Sequence, residues 1–167
     1  MSPFNRSVQE GHRQWMGRLL RLAARVGDSG EIPVAAVVLD GEGRCIGWGT
    51  NRRERNQDPL GHAELVALAQ ASRLLGSWRM NQCTLLATLE PCPMCAAAIV
   101  QARVGTTVFA AADPKRGALG GCLDLAGHPS AHHRMVVVGG VEAEAAGRQL
   151  AEWFRRRRQR RAAGQRA

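Results

Sequence analysis

No uninterrupted apolar run in this chain approaches the roughly 18 residues that a membrane span needs. The first thirty residues also hold no apolar stretch of signal-peptide type. Neither export nor membrane insertion has a basis in the sequence, and the expectation is a soluble, cytoplasmic protein. An even set of spaced cysteines is missing too. The five present cannot all pair, and Cys92 and Cys95 stand three apart beside proline, so a disulfide framework accounts poorly for their placement. A reducing compartment fits better. Cys45, Cys83 and Cys122 lie in apolar or glycine-rich surroundings and read as small hydrophobes without chemistry. Internal repeats are absent, and 167 residues make one domain able to bury roughly 70% of its unfolded surface.

Acidic residues are lacking from 155–167, which hold seven arginines, whereas 1–154 carry sixteen bases against fourteen acids. The formal charge of +9 is therefore mostly a tail. This divides the chain into a domain over 1–154 and an Arg-rich tail over 155–167 that continues the last helix. Arg155, Arg156, Arg157 and Arg158 match a phosphate-contacting arm, because guanidinium grips phosphate oxygens bidentately, and nucleic acid is the natural partner. The alternative is a solvated helix end whose cations complement the helix dipole. Without an interleaved apolar face, the run does not suggest a membrane surface.

What is present reads as strands alternating with helices. Trp15, Leu19, Leu22, Ala23 and Val26 recur at helical spacing between His12 and Val26, with arginines on the other side. Val34 to Leu39, the turn residues Asp40-Gly41-Glu42-Gly43, and Cys45 to Thr50 form a hairpin pattern, followed by a polar stretch from Asn51 to Gly61. A helix is predicted over His62 to Leu75, a buried strand over Cys83 to Leu89, and a second helix from about Met94. Further strands are predicted at Thr106 to Ala111 and Met135 to Val138, around a glycine-bearing loop, with a final helix from Glu142. The alternation implies an α/β layered sheet whose hairpin is antiparallel and whose later strands are parallel.

The chemistry concentrates in two segments, His62-Ala63-Glu64 and Pro91-Cys92-Pro93-Met94-Cys95. One imidazole and two thiolates are ligands that Zn2+ prefers, and three of them leave a fourth position open for water, as a catalytic zinc requires. Each segment opens a helix, so the positive N-terminal ends favour the thiolates. Glu64 is the spare carboxylate. The ion with two thiolates and a neutral imidazole sums to zero charge and acidifies water less than a tris-histidine site, so a nearby base is needed; Glu64 is suited to shuttle its proton. A redox dithiol is the rival reading of Cys-x-x-Cys after a strand, but it has no use for an upstream His-x-Glu pair.

These segments, with Glu31-Ile32-Pro33-Val34, Thr88-Leu89-Glu90-Pro91-Cys92, Asp113-Pro114-Lys115-Arg116-Gly117 and His128-Pro129, resemble the bacterial tRNA-specific adenosine deaminases over nearly the whole length. The resemblance implies a cytidine deaminase-like three-layer α/β/α sandwich with a mixed sheet of about five strands. It also implies a homodimer that converts adenosine to inosine at the wobble position of a tRNA anticodon. By the same resemblance, Asn51 hydrogen-bonds the extruded adenine, Pro33 and Val34 wall the pocket, and Asp113 contacts a neighbouring ribose. Gly61, Ala112 and His132 depart from the family pattern, while His128 and His133 read as structural or RNA-facing. Deamination of a free base such as cytosine or guanine is the alternative within chemistry, since the metal apparatus is shared. A silent RNA-binding subunit is the alternative outside it, and the presence of Glu64 argues against that.

Overall fold

The computed structural model describes residues 3–164, with the side chains of 3–6 left aside. The elements in chain order are α1 (Pro3–Asp28), β1 (Ala35–Leu39), β2 (Cys45–Thr50), α2 (Arg53–Asn56), α3 (Ala63–Leu75), β3 (Thr84–Leu89), α4 (Pro93–Gln101), β4 (Thr106–Ala111), β5 (Val136–Gly139) and α5 (Ala143–Ala162). They build one five-stranded mixed sheet ordered β2-β1-β3-β4-β5. β1 runs antiparallel to both β2 and β3, while β3, β4 and β5 are mutually parallel.

Alternation along the central strands sorts their side chains between two helical layers. On one face Ala36 and Val38 of β1 and Leu85 and Ala87 of β3 pack with α3 and with Ile99 of α4. On the other, Ala35, Val37, Leu39, Leu86, Val108 and Ala110 meet Met16, Leu19 and Ala23 of α1 and Ala146 of α5. Both faces of β1 are covered, so all five of its residues are buried and it reads as a continuous apolar run. No helix among the described residues is long and apolar enough to cross a membrane.

The close fit of α3 on β2 depends on two glycines. A Cβ at Gly47 would lie 2.7 Å from the Ala71 backbone nitrogen, and one at Gly49 would lie 2.7 Å from Val66 Cβ. Only a residue without a side chain lets the helix backbone approach this far. The consequence for function is direct, because α3 carries the first two residues of the site.

Three differences from the sequence expectation have physical causes. α1 begins at Pro3 rather than His12, because its first turns lack the apolar stripe that periodicity detects. α2 lies inside a stretch that reads as polar loop; it is held from 23 and 24 residues away, where the Glu31 carboxylate accepts the N–H groups of Glu54 (3.3 Å) and Arg55 (2.7 Å). A distant cap of this kind leaves no local pattern. β5 is shifted by one residue, Met135 instead turning to Thr107, whose hydroxyl donates to its sulfur at 3.3 Å.

Candidate metal centre

His62 and Cys92 occupy equivalent places: each is the N-cap of its helix in extended conformation, with φ −83° and ψ 145° for His62 and φ −70° and ψ 171° for Cys92. Neither side chain caps its own helix, so both are turned elsewhere. Pro93 supplies the first helical residue of α4 at no cost in hydrogen bonds, and Cys95 follows one turn on, fully buried. β1 pairs with both β2 and β3, which brings the starts of α3 and α4 to the same end of the sheet. His62 Nδ1 lies 3.7 Å from Cys92 Sγ and 3.5 Å from Cys95 Sγ.

The donor set fits zinc. With bonds of about 2.3 Å to sulfur and 2.0–2.1 Å to nitrogen, ligands on a tetrahedral zinc stand about 3.6 Å apart. The two observed separations bracket that spacing, and all three ligand atoms fall within 4.8 Å of one another. All five cysteines are free thiols, so no disulfide joins Cys92 to Cys95.

Electrostatics within the cluster is strongly coupled. The hydrogen bond from Cys95, aided by His62, pulls the Cys92 thiol down to about 4. The same sulfur–sulfur hydrogen bond, together with burial, pushes Cys95 far above the ordinary thiol range. Zinc binds both sulfurs as thiolates, so loading the site releases protons. His62 is raised above its usual range by its hydrogen bond with Cys92. Glu64, in the first turn of α3 and 4% exposed, is raised chiefly by burial.

Above the cluster opens a cavity of about 760 Å³, within the range of small-ligand sites. His62, Glu64 and Cys92 line it, as do Asn51, Val34 and Asp113. Asn51 is nearly buried and its Oδ1 accepts the Arg53 N–H at 3.3 Å, leaving Nδ2 as the donor of the amide. Pro33 is not among the lining residues; Ile32 takes that place, and Pro33 instead packs beside Gly27. Asp113 lines the cavity while its Oδ1 accepts the N–H groups of Lys115 (2.9 Å) and Arg116 (3.0 Å). Gly61 is held on both sides, its N–H donating to Asp58 O at 3.0 Å and its carbonyl accepting from Arg52 N–H at 2.9 Å. His133 is structural, with Nε2 2.8 Å from the Val104 carbonyl.

Helix α5 runs without a break through the boundary between residues 154 and 155. Its arginines are not equivalent. Arg157 lies over the Trp153 ring at 5.1 Å and donates to the Gly30 carbonyl at 3.3 Å, while Trp153 Nε1 donates to Gly27 O at 2.9 Å. Arg155 and Arg156 are exposed and share Glu152, at 3.7 and 2.9 Å. Arg158 is exposed. Phe154 and Leu150 of the same helix line the cavity. Sequence reasoning missed those two, along with Ile32 and the buried Glu90. Only Glu90 had a visible signal, a lone acid closing an apolar strand.

Residues 9–111 match the cytidine and deoxycytidylate deaminase zinc-binding region. The chain is 46% identical over 142 residues to a tRNA(Ile)-lysidine synthase of Deinococcus radiodurans, a match covering 83% of this chain and 24% of that protein. It thus spans about a quarter of the length of that relative. It is 39% identical over 150 residues to a tRNA-specific adenosine deaminase of Bacillus subtilis, covering 89% of this chain and 92% of the other. Among solved structures, one from work on A-to-I editing by tRNA:A34 deaminases at the wobble position of transfer RNA superposes with a TM-score of 0.78. That pair is 34% identical, over 81% of this chain and 98% of the other.

Proposed function

The chain belongs to the zinc-binding cytidine and deoxycytidylate deaminase family, and on that premise we propose that it is a tRNA-specific adenosine deaminase, converting adenosine to inosine at the wobble position of an anticodon. The observation that carries the reading is the meeting of His62, Cys92 and Cys95 with the buried carboxylate of Glu64 at a cavity of about 760 Å³, roomy enough for a nucleotide. Relatives named for the same reaction, matched over most of both chains, support it.

In this reading His62, Cys92 and Cys95 hold Zn2+, about one per chain. When bound, the ion supplies Lewis-acid activation of a water molecule at its open fourth position. The chain's own groups do the rest. The adenine is swung out of its strand into the cavity, where Asn51 offers its amide to the purine edge and Val34 and Ile32 pack on the base. Glu64 takes a proton from the attacking water and delivers it to the ring nitrogen beside the attacked carbon. It then takes the proton of the hydroxyl added to that carbon and passes it to the exocyclic amine, which leaves as ammonia while the carbon becomes a carbonyl. Water is consumed and inosine and ammonia are formed. Asp113 accepts from a neighbouring 2′-hydroxyl, which favours RNA over DNA.

The enzyme works in the cytoplasm, whose reducing conditions keep its thiols free. It acts as a homodimer, supported by an apolar recess between α3 and α4 where Leu65, Leu68, Ala69 and Ala98 lie beside the half-exposed Trp78. Residues 1–154 form the deaminase domain, and the arginines beyond them contact tRNA phosphates, with Arg157 also fastening the helix. Replacing Arg155, Arg156 and Arg158 by glutamine, with Arg157 kept for the fold, should reduce the salt slope of tRNA binding by ~0.7 to 0.9 per lost phosphate contact. An unchanged slope in a salt titration would reduce them to solvated charges.

The deciding assay supplies an anticodon stem-loop bearing adenosine at the wobble position to the zinc-loaded protein and scores inosine by reverse transcription. Inosine there is the expected result. No inosine, with turnover of free cytosine or guanine instead, overturns the reading.

A further inference from the structure

Glu90 follows β3 directly and stands two residues before Cys92, yet it takes no part in the metal cluster. Its side chain is 2% exposed, and no cation among the described residues pairs with it. Instead it accepts three backbone N–H groups of one loop: Asp113 at 2.9 Å on Oε2, and Leu119 at 3.0 Å and Gly121 at 2.8 Å on Oε1. Amide dipoles converging in this way balance a buried carboxylate. The loop is shaped around it. A Cβ at Gly121 would lie 2.5 Å from Glu90 Oε2 and 2.6 Å from Asp113 O, and one at Gly117 would also strike the carboxylate. Neighbouring backbone bonds complete the attachment, with Ala118 N–H donating to Pro91 O at 2.9 Å and Glu90 N–H to Ala111 O at 2.8 Å.

The outer side of the same loop carries Asp113 and Arg116, both lining the cavity. Fixing the Asp113 N–H therefore fixes where these two charged groups stand relative to Cys92, which the same three-residue segment places on the metal side. We propose that Glu90 is a positioning residue: it sets the 113–121 loop so that the loop grips the nucleotide flanking the reacting base. This rests on the tRNA deaminase reading for its substrate. Asp113 and Arg116 make the contact, Glu90 holds their backbone, and the reacting atoms are untouched by it. A glutamine at 90 would keep the shape but turn a donor toward one of the three N–H groups, which a carboxylate accepts together.

Two variants test this. Glu90→Gln removes an acceptor in place; Gly121→Ala presses on the same carboxylate from an exposed site. In the zinc-loaded protein, hydrogen exchange at the Asp113, Leu119 and Gly121 amides should accelerate by ~10-fold or more in both variants, while α3 amides and zinc content stay as in the parent. On the anticodon stem-loop, KM should rise ~10-fold with kcat changed less than ~3-fold, the pattern of lost uniform binding. Unchanged exchange and KM in both variants would overturn the proposal. So would loss of zinc or a fall in kcat matching the rise in KM, since either means a general structural role. The exchange measurement needs no substrate, so a parent protein inactive on tRNA would sink the functional reading without touching the loop result.

Discussion

Glu64→Ala is expected to lower turnover by at least ~10²-fold while zinc remains at about one ion per chain, because general acid–base catalysis contributes ~10²- to 10⁴-fold. The carboxylate lies in the first turn of α3, two residues from His62, and lines the cavity. Removing it leaves the base, the water and the three ligands in place but deprives the ring nitrogen of its proton source. Glu64→Gln, which keeps the shape without a group that can take up and release a proton, should lose nearly as much. Inosine formation under saturating stem-loop, read beside elemental analysis of the purified variant, checks both halves. Loss of zinc from Glu64→Ala would make the residue a ligand, and a fall below tenfold would remove it from the proton path.

Stripping the metal should have the other large effect. Chelation, or Cys95→Ser, is expected to take activity to background and to lower the melting temperature, with readdition of zinc restoring the chelated parent but not the variant. A ligand present at a thousand times its Kd stabilises the native state by about 4 kcal/mol. For a domain of 150–250 residues that corresponds to roughly 8–16 °C. The bridge spans the fold, since His62 and Cys95 stand 33 residues apart and open different helices. Differential scanning calorimetry with and without chelator reads it directly. A chelated protein with unchanged melting and turnover would show that the cluster holds nothing the enzyme needs.

The metal ligands were legible because ligand chemistry is local: an imidazole and two thiols at helix starts carry their own signature. The layered sheet was legible because alternation of strand and helix is periodic. The roles of Glu31 and Glu90 were not: Glu90 stands out as a lone acid closing an apolar strand, but each carboxylate acts over 23 residues or more on backbone N–H groups that no composition or spacing marks. Pro33 is absent from the cavity lining, where its neighbours Ile32 and Val34 stand. The arginine run showed charge but not burial, and Arg157 owes its double duty to Trp153 and Gly30, which only tertiary packing brings near. Gly61 could have loosened the approach to His62, but its paired hydrogen bonds with Asp58 and Arg52 hold that turn.

Margins of sheets ordinarily tolerate substitution, and β2 is one of the two edge strands here, with Trp48 half exposed. Gly47 and Gly49 reverse that expectation. The methyl group of an alanine at either place would lever away the helix that begins with His62 and Glu64. An edge strand is therefore among the least permissive parts of the enzyme, and damage there should surface as weakened metal affinity well before the protein comes apart.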